Sequence, residues 1–319
     1  MPDLAATPRN HPASARLALL LTGLALCTIG CTGPRSMLNS PEVTAKGHWR
    51  AGGNMDVNLP TQTADALEDG INHGINMLVG RLDGKDTASI AADSLNPLTR
   101  ALVAYSLDPI GPQTGVFIRY GFLSRWDAGY RLAGAAHTFD VRYQFLGPVA
   151  AGPRDASAND SPSEWQGSAG IQYSQQSYDL PSVVGLDKLQ ELLQFEFKRK
   201  DIMVPVAFGK PWGKQGRYGG FGIGGMYNLS LISYGAGNKK LLERLPDGTT
   251  RAFKRVEGEK KISSYGGFAN LRLGYKYVYL LGSANVYYQN YGKYELFGGQ
   301  TTELKGWTFI PALGLEFRI

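Results

Sequence analysis

The chain has 319 residues, including 41 glycines and 17 tyrosines; charged residues make up 19% of it and the formal net charge is +6. Its mean hydropathy is −0.21. This composition excludes an ordinary helical protein and is typical of short strands joined by turns. The mild, scattered basic excess argues against nucleic acid as a partner.

The first 30 residues are a targeting segment and not part of the fold. Arg9 and Arg16 precede the apolar run from Leu17 to Ile29. That run is too short to cross a membrane as a helix and has the length of a secretory signal. We therefore expect residues 1–30 to be a signal peptide.

The apolar run ends in T-I-G-C, with Gly30 directly before Cys31. This resembles the lipobox of bacterial lipoproteins, and the resemblance implies cleavage before Cys31 and acylation of its thiol with chains such as palmitate. Thr32, where inner-membrane lipoproteins have Asp, implies export to the outer membrane, whereas Thr28 departs from the usual Leu. An ordinary signal peptide beside a chance cysteine is the alternative. With one mature cysteine, neither a disulfide framework nor a cysteine-ligated metal site is expected.

The domain division follows from composition. Gly33 to Lys46 contains prolines and serines and predicts a tether, so residues 31–46 are interpreted as the lipidated cysteine and tether. Residues 47–319 are interpreted as the folded domain. Its first strand is predicted over Gly47 to Asn58, which alternates with period two.

The alternation breaks between Pro60 and Pro112. Apolar residues recur there at spacings of three and four, which predicts a helical stripe. They are Leu67, Ile71, Ile75, Leu78 and Leu82. The run that ends before Pro109 is compatible with a helix or a strand, and a second short amphipathic helix is predicted over Val183 to Leu193.

Three successive runs between Thr114 and Phe145 alternate with period two, which predicts an antiparallel meander. One face is apolar and carries aromatic residues. The other carries five charged residues: Arg119, Asp127, Arg131, Asp140 and Arg142. Charges inside and apolar residues outside are typical of a transmembrane barrel, in which these five would form a polar network in the lumen. A soluble sheet with one face in water produces the same alternation.

Continuing the count predicts an all-β fold: an antiparallel transmembrane barrel of about 10 strands, with 12 as the alternative. The predicted strands begin near Gly47, Thr114, Asp127, His137, Glu164, Asp201, Arg217, Ser263, Tyr279 and Trp307. Long connections after strands one, five, seven and nine, and short ones after two, six and eight, agree with outer loops and periplasmic turns. The short Gly134 to Ala136 and the long Gly147 to Ser163 depart from this scheme. Ser233 to Ile262 is predicted to be a solvated loop.

Strand length and aromatic residues favour the membrane over a lipid-anchored soluble sandwich. Most runs supply the 9 to 11 residues or so that a membrane strand needs, and aromatic residues gather near their ends as in interfacial girdles. The last strand, Trp307 to Ile319, resembles the carboxy-terminal signal read by the barrel-assembly machinery, although that signal usually ends in Phe.

Two stretches, Gly47 to Asn58 and Thr114 to Leu146, resemble a loose group of bacterial outer-membrane β-barrel proteins. Several members of that group are lipidated and most have no assigned activity. The resemblance implies a fold and a location in the cell outer membrane, and it implies no site residues.

Three functions are compared. The expected one is a lipid-anchored structural or surface-interaction protein without catalysis, because barrels near eight strands are filled by side chains and wide channels need about 16 strands. The alternative is a narrow channel or a transporter of apolar solutes, with residues 60–112 as plug or lid. A lipid-modifying enzyme needs a base beside a nucleophile. Of His48, His73 and His137, only His48 is predicted to face inward, and no G-x-S-x-G motif occurs.

The expected partners are outer-membrane lipid and the barrel-assembly machinery. The basic run Lys239 to Lys261 indicates either contact with lipopolysaccharide phosphates or a solvated loop of mixed charge. No cofactor or metal is expected, because no ligand spacing for one appears.

Overall fold

The computed structural model describes residues 35–70, 88–90, 92–149, 164–177, 194, 196–213, 216–236, 241–244, 249–252, 255–296 and 300–319. The predicted signal peptide, Cys31, His73 and the predicted helix over Val183 to Leu193 lie outside the described residues.

Ten antiparallel strands close into a barrel, as the alternation predicted. In chain order the elements are β1 (Trp49–Pro60), α1 (Thr61–Gly70), β2 (Ala88–Ile90), α2 (Ala92–Leu107), β3 (Gly111–Leu123), β4 (Trp126–Ala133), β5 (Ala136–Leu146), β6 (Gln166–Ser177), β7 (Glu196–Trp212), β8 (Gly219–Ala236), β9 (Leu241–Arg244), β10 (Thr250–Ala252), β11 (Val256–Tyr275), β12 (Val278–Glu295) and β13 (Thr301–Arg318). The barrel order is β1-β13-β12-β11-β8-β7-β6-β5-β4-β3.

The apolar faces of the strands point outward and the polar faces inward. In β1 the side chains of Trp49 and Met55 are exposed, whereas Arg50 and Asp56 are buried. The same parity holds around the barrel, where exposed Leu, Ile, Val and aromatic residues alternate with buried charged and amide side chains. A sheet of this kind has its polar core inside and needs an apolar environment outside.

The two ends of the barrel differ in their connections. At one end, which we call the turn end, residues 124–125, 213–218 and 276–277 join strands, and the chain ends beside Trp49. At the opposite end, the loop end, the long connections span residues 61–110, 178–195 and 237–255. The connection after the ninth strand, residues 296–300, is short and not long as predicted, because β12 and β13 both extend further than expected. The two departures from the scheme of turns and loops persist, because residues 134–135 form a two-residue connection at the loop end and residues 147–165 a long one at the turn end.

Two helices lie over the loop end. The run before Pro109 is helical and forms part of α2, and α2 packs against α1 and buries Leu102 and Leu107. Neither helix is long and apolar enough to cross a membrane. β10, β9 and β2 form a separate small sheet in that order. The prediction of short helices between Pro60 and Pro112 is therefore confirmed by α1 and α2. Ala88–Ile90 is a strand, and the part of the predicted stripe from Ile71 to Leu82 lies outside the described residues.

The prediction of a solvated loop from Ser233 to Ile262 was wrong at both of its ends. β8 continues to Ala236, and β11 begins at Val256 and pairs with β8 from its first residue. The charged residues that suggested a loop, such as Glu257 and Glu259, are exposed on the outer face of the extended strand. Strand pairing thus continues past the apolar band into a charged surface.

The predicted tether was also wrong over its described part. Residues 35–46 run through the barrel interior from the loop end to the turn end, and Arg35, Met37, Glu42, Val43 and Thr44 are all buried. This stretch, the luminal segment, makes one isolated bridge to the barrel, between Lys46 and Gly121. It fills the room that the glycines on the inner faces of the strands leave open.

Candidate functional site in the barrel interior

The middle of the interior is an apolar cluster around the luminal segment. Met37 lies among inward side chains of the wall: Met203, Ala207, Met226, Phe268, Tyr287 and Ile310. Its backbone N–H donates to Asn285 Oδ1 at 2.9 Å. Met37 therefore takes part in the apolar packing of the lumen, where a flexible methionine side chain fills irregular space.

Four of the five sequence-predicted lumen residues meet in one ion-pair cluster near the turn end. Arg119 Nη2 lies 2.9 Å from Asp127 Oδ1, and Arg119 Nη1 donates to Asp140 Oδ2 at 3.0 Å. Arg142 Nη2 donates to Asp127 Oδ2 at 2.6 Å. The luminal segment joins the cluster, because Thr44 donates to Asp127 from its backbone N–H and its hydroxyl.

Arg131, the fifth predicted residue, lies elsewhere. Its guanidinium lies 3.1 Å from Asp56 Oδ2 in β1 and donates to the carbonyl and hydroxyl oxygens of Ser36, both at 2.7 Å. Arg131 lines the same small cavity as Arg119 and Asp140, but it pairs with Asp56 and not with Asp127 or Asp140. The strand pattern alone did not indicate that Arg131 also contacts the luminal segment.

The largest group missed at the sequence level surrounds Glu42. Its Oε2 lies 2.7 Å from Nη2 of Arg272, 2.7 Å from Nη2 of Arg318 and 3.3 Å from Nη2 of Arg50. Glu316 pairs with Arg318 at 3.2 Å. The inward parity of Arg50, Arg272 and Arg318 was visible in the alternation, but nothing in the sequence around Glu42 indicated that it enters the lumen.

A second missed group holds the helices to the barrel. The carbonyl of Leu107, at the end of α2, accepts from Arg35 at 3.1 Å and from Arg199 at 2.6 Å. Cations at a helix C-terminus satisfy its free carbonyls and oppose its dipole. Asp108 follows and accepts from Asn58 at 2.6 Å while pairing with Arg35 at 3.2 Å. The helices are thus bound to the luminal segment and to the wall.

The described interior is closely filled. A cavity of about 30 Å³ lies among Ser36, Asn54, Arg131 and Thr138. That volume holds one or two water molecules. The luminal segment and the helices together occupy the described lumen.

The two described histidines lie outside this network. His48 precedes β1 and does not face inward as predicted; its Nδ1 lies 3.1 Å from the carbonyl oxygen of Lys46. His137 lies on the outer face, with Nδ1 2.8 Å from Tyr130 Oη. Within the described ranges, no group of three or more His, Cys, Asp or Glu side chains is arranged to hold a metal ion.

The exterior carries two bands of aromatic side chains. Tyr265, Tyr288 and Trp307 stack in a row across β11, β12 and β13, with ring centroids 5.5 and 5.2 Å apart. Towards the turn end, the same face of β11 carries Tyr275 and that of β13 carries Phe317, ten residues away from Tyr265 and Trp307 respectively. Leucines and other apolar residues fill the outer face between the two bands.

No protein-family model and no curated protein sequence matches the chain. Among solved structures, the outer membrane protease OmpT from Escherichia coli is 10% identical, with a TM-score of 0.35, over 88% of this chain and 100% of that one. The outer membrane protein OprG from Pseudomonas aeruginosa is 10% identical, with a TM-score of 0.30, over 88% and 99%. A major outer membrane protein from Thermus thermophilus is 9% identical, with a TM-score of 0.28, over 85% and 99%. Likenesses at this level carry no argument about activity or partners.

Proposed function

We propose that this protein is a lipid-anchored β-barrel of the bacterial outer membrane with a structural or surface-interaction role and no catalytic activity. The observation that supports it most strongly is an apolar exterior between two aromatic bands around a filled, charged interior. A water-soluble sheet would not leave such a band exposed.

The dimensions of the band support the location. Ten residues of strand cover about 33 Å. At the 35–45° tilt of outer-membrane barrels this becomes about 25 Å along the axis, the height of their apolar band. The aromatic bands therefore stand where the two interfaces of a bilayer would lie.

The barrel orientation follows the usual asymmetry of outer-membrane barrels. Short turns in such proteins face the periplasm and long connections face outward. The turn end, with the carboxy terminus, would then be periplasmic, and the loop end with α1 and α2 would face the environment.

The lipid anchor is proposed at Cys31. The position of Arg35 under α2 supports an anchor at the loop end, since four residues of extended chain reach at most about 14 Å. The sequence interpretation had the anchor at the same end as the carboxy terminus. The course of the luminal segment argues for opposite ends.

Lipid, lipopolysaccharide and the barrel-assembly machinery are the proposed partners. Lys200 and Lys261 both pair with Leu231 on the outer face of the barrel, one from each side. They lie four residues beyond the level of Tyr265, about 13 Å along the strand. Exposed ammonium groups at that height would meet the phosphates of an outer leaflet.

Membrane fractionation combined with gel mobility tests the proposal. An integral barrel resists alkaline carbonate and migrates differently before and after heating. We expect both properties in the protein and in a Cys31→Ser variant, and palmitate labelling only in the former. Removal of the Cys31→Ser variant from membranes by carbonate would contradict the integral barrel, whereas equal labelling of both would contradict only the anchor.

Transport is the second candidate, and one observation favours keeping it. Apart from the single bridge at Lys46, the luminal segment lies outside the barrel ladder, so that residues 35–45 can leave without breaking strand pairing. Uptake of a solute by the unaltered protein in planar bilayers or vesicles would support transport over a structural role.

A further inference from the structure

The barrel wall is shaped to receive the luminal segment. A Cβ atom at Gly209 or Gly222 would meet Pro41 at 2.8 or 3.0 Å, besides closer clashes with Phe221 and Asn270 of the wall itself. Arg131 and Arg142 reach from the wall to the carbonyl oxygens of Ser36 and Ser40. The luminal segment therefore resembles a bound peptide: apart from the bridge at Lys46, side chains of the wall hold it and backbone strand pairing does not.

Within the luminal segment, the carboxylate of Glu42 is in contact with the largest number of wall arginines. Three guanidinium groups surround it, those of Arg50, Arg272 and Arg318, and Glu42 itself is only 2% exposed. Without that carboxylate, three buried cations would face one acid, Glu316. The position has the charge and enclosure of an oxyanion site.

The guanidinium groups are held by contacts other than the Glu42 carboxylate. Arg272 and Arg318 lie over the ring of Tyr279, at 5.1 and 4.6 Å from its centroid. Arg50 donates to the backbone carbonyls of Glu42 and Val43 at 3.2 and 2.9 Å. Removing only the carboxylate leaves these supports in place.

Arg272 also has donors that Glu42 does not use. Its Nε and Nη1 have no hydrogen-bond partner although the residue is 4% exposed, and Nη1 lies 3.9 Å from Glu316 Oε1. Buried unpaired donors are costly and rare in native proteins. The fork of a guanidinium matches two oxygens of a carboxylate or a phosphate, so the site has unused capacity for an oxyanion.

We propose that Arg50, Arg272 and Arg318 form a binding site for a small oxyanion, a carboxylate or phosphate, and that Glu42 is its resident ligand. A soluble oxyanion and Glu42 compete for the same guanidinium groups. Anion binding and release of this part of the luminal segment are therefore thermodynamically linked. The site adds a ligand class to the proposed function and depends neither on the membrane nor on the anchor.

The test replaces Glu42 and supplies the oxyanion from solution. Full-length protein is refolded in detergent, and the midpoint temperature for loss of the folded gel band is measured in sodium propionate, phosphate or chloride at equal ionic strength. We expect Glu42→Ala to be less stable than the unaltered protein in chloride. Propionate or phosphate should raise its midpoint in a saturable manner, as a ligand of the folded state does.

Two matched variants separate a specific site from a general salt effect. Glu42→Gln fills the same space with an uncharged amide, and we expect its midpoint not to respond to propionate or phosphate. Glu303→Ala removes an exposed carboxylate that pairs with Lys305 at 3.3 Å. We expect it to behave alike in all three salts.

Each outcome decides the proposal. It is overturned if the Glu42→Ala midpoint is the same in the three salts, or if Glu303→Ala responds equally. Should Glu42→Ala fail to refold in chloride, the refolding yield becomes the readout: recovery in propionate or phosphate supports an exchangeable oxyanion, and failure in every salt overturns it.

Discussion

Arg119 and Asp127 form an ion pair inside the barrel, with Nη2 2.9 Å from Oδ1 and both side chains almost fully buried. The pair joins adjacent strands β3 and β4. Asp127 also accepts from Arg142 and from Thr44 of the luminal segment. One carboxylate thus connects two arginines of the wall to the chain that fills the lumen.

Replacing Asp127 should therefore destabilise the barrel strongly. Asp127→Asn leaves Arg119 and Arg142 buried with one full negative charge fewer, and breaking a buried pair costs about 3–5 kcal/mol. Urea-induced unfolding of the protein in lipid vesicles measures the loss.

An exposed ion pair supplies the control for Asp127→Asn. Asp69→Asn breaks a pair with Arg100, at 2.8 Å, in which both side chains are substantially exposed. We expect its effect to stay within about 1 kcal/mol. If the two variants lost the same free energy of unfolding, burial of the Asp127 cluster would not explain its contribution to the stability of the barrel.

A charge on the outer face should oppose insertion. Leu313 is 62% exposed and lies between the aromatic bands on β13. Leu313→Arg should cost about 2–4 kcal/mol if it faces the bilayer midplane. Folding yield into lipid vesicles measures this, and Thr301→Arg, at the loop-end start of the same strand, is the matched control. A yield for Leu313→Arg equal to that of the control would argue for an aqueous exterior.

Removing the luminal segment should open the lumen. In a variant lacking residues 35–45 we expect discrete conductance steps in planar bilayers, well above those of the full-length protein. The inward charged residues of the described strands are seven arginines (50, 119, 131, 142, 199, 272, 318), one lysine (260) and five acids (56, 127, 140, 201, 316). The open pore should therefore prefer anions, which the reversal potential in a salt gradient reports. A folded variant that does not conduct would mean that the helices alone close the barrel.

The orientation can be measured on whole cells. Thr250 is exposed at the loop end and Tyr277 is exposed in a two-residue connection at the turn end. We expect a membrane-impermeant maleimide to label Thr250→Cys on intact cells and Tyr277→Cys only after the outer membrane is opened. The reverse labelling pattern would show that the barrel has the opposite orientation in the membrane.

The barrel could be predicted because period-two alternation is a local property. The spacing of neighbouring residues was enough to predict ten strands, their outward apolar faces and short helices between residues 60 and 112. The ends of the strands were predicted less accurately than the strands themselves. For example, β11 begins at Val256 and not near Ser263. Four of its first six residues are charged, a composition that strands projecting into water share with loops.

The filling of the lumen could not be predicted for the opposite reason. A polar, proline-containing stretch such as residues 35–46 has the same composition whether it contacts water or a polar interior. Its partners are also far away in sequence, since Glu42 is 230 residues from Arg272 and 276 from Arg318. The contact of Arg131 with Ser36 could not be predicted for the same reason, because Ser36 is 95 residues away in sequence.

Strand lengths give the barrel a sloping rim. β4 has 8 residues and β11 has 20, or about 26 and 66 Å along the strand. Because the turn-end connections keep the strand bases together, this difference appears almost entirely at the opposite mouth. One flank extends well beyond the level of the aromatic band at the loop end, whereas the other does not span the distance between the two bands. The paired edge of the sheet that projects at the loop end is therefore confined to the flank of the long strands.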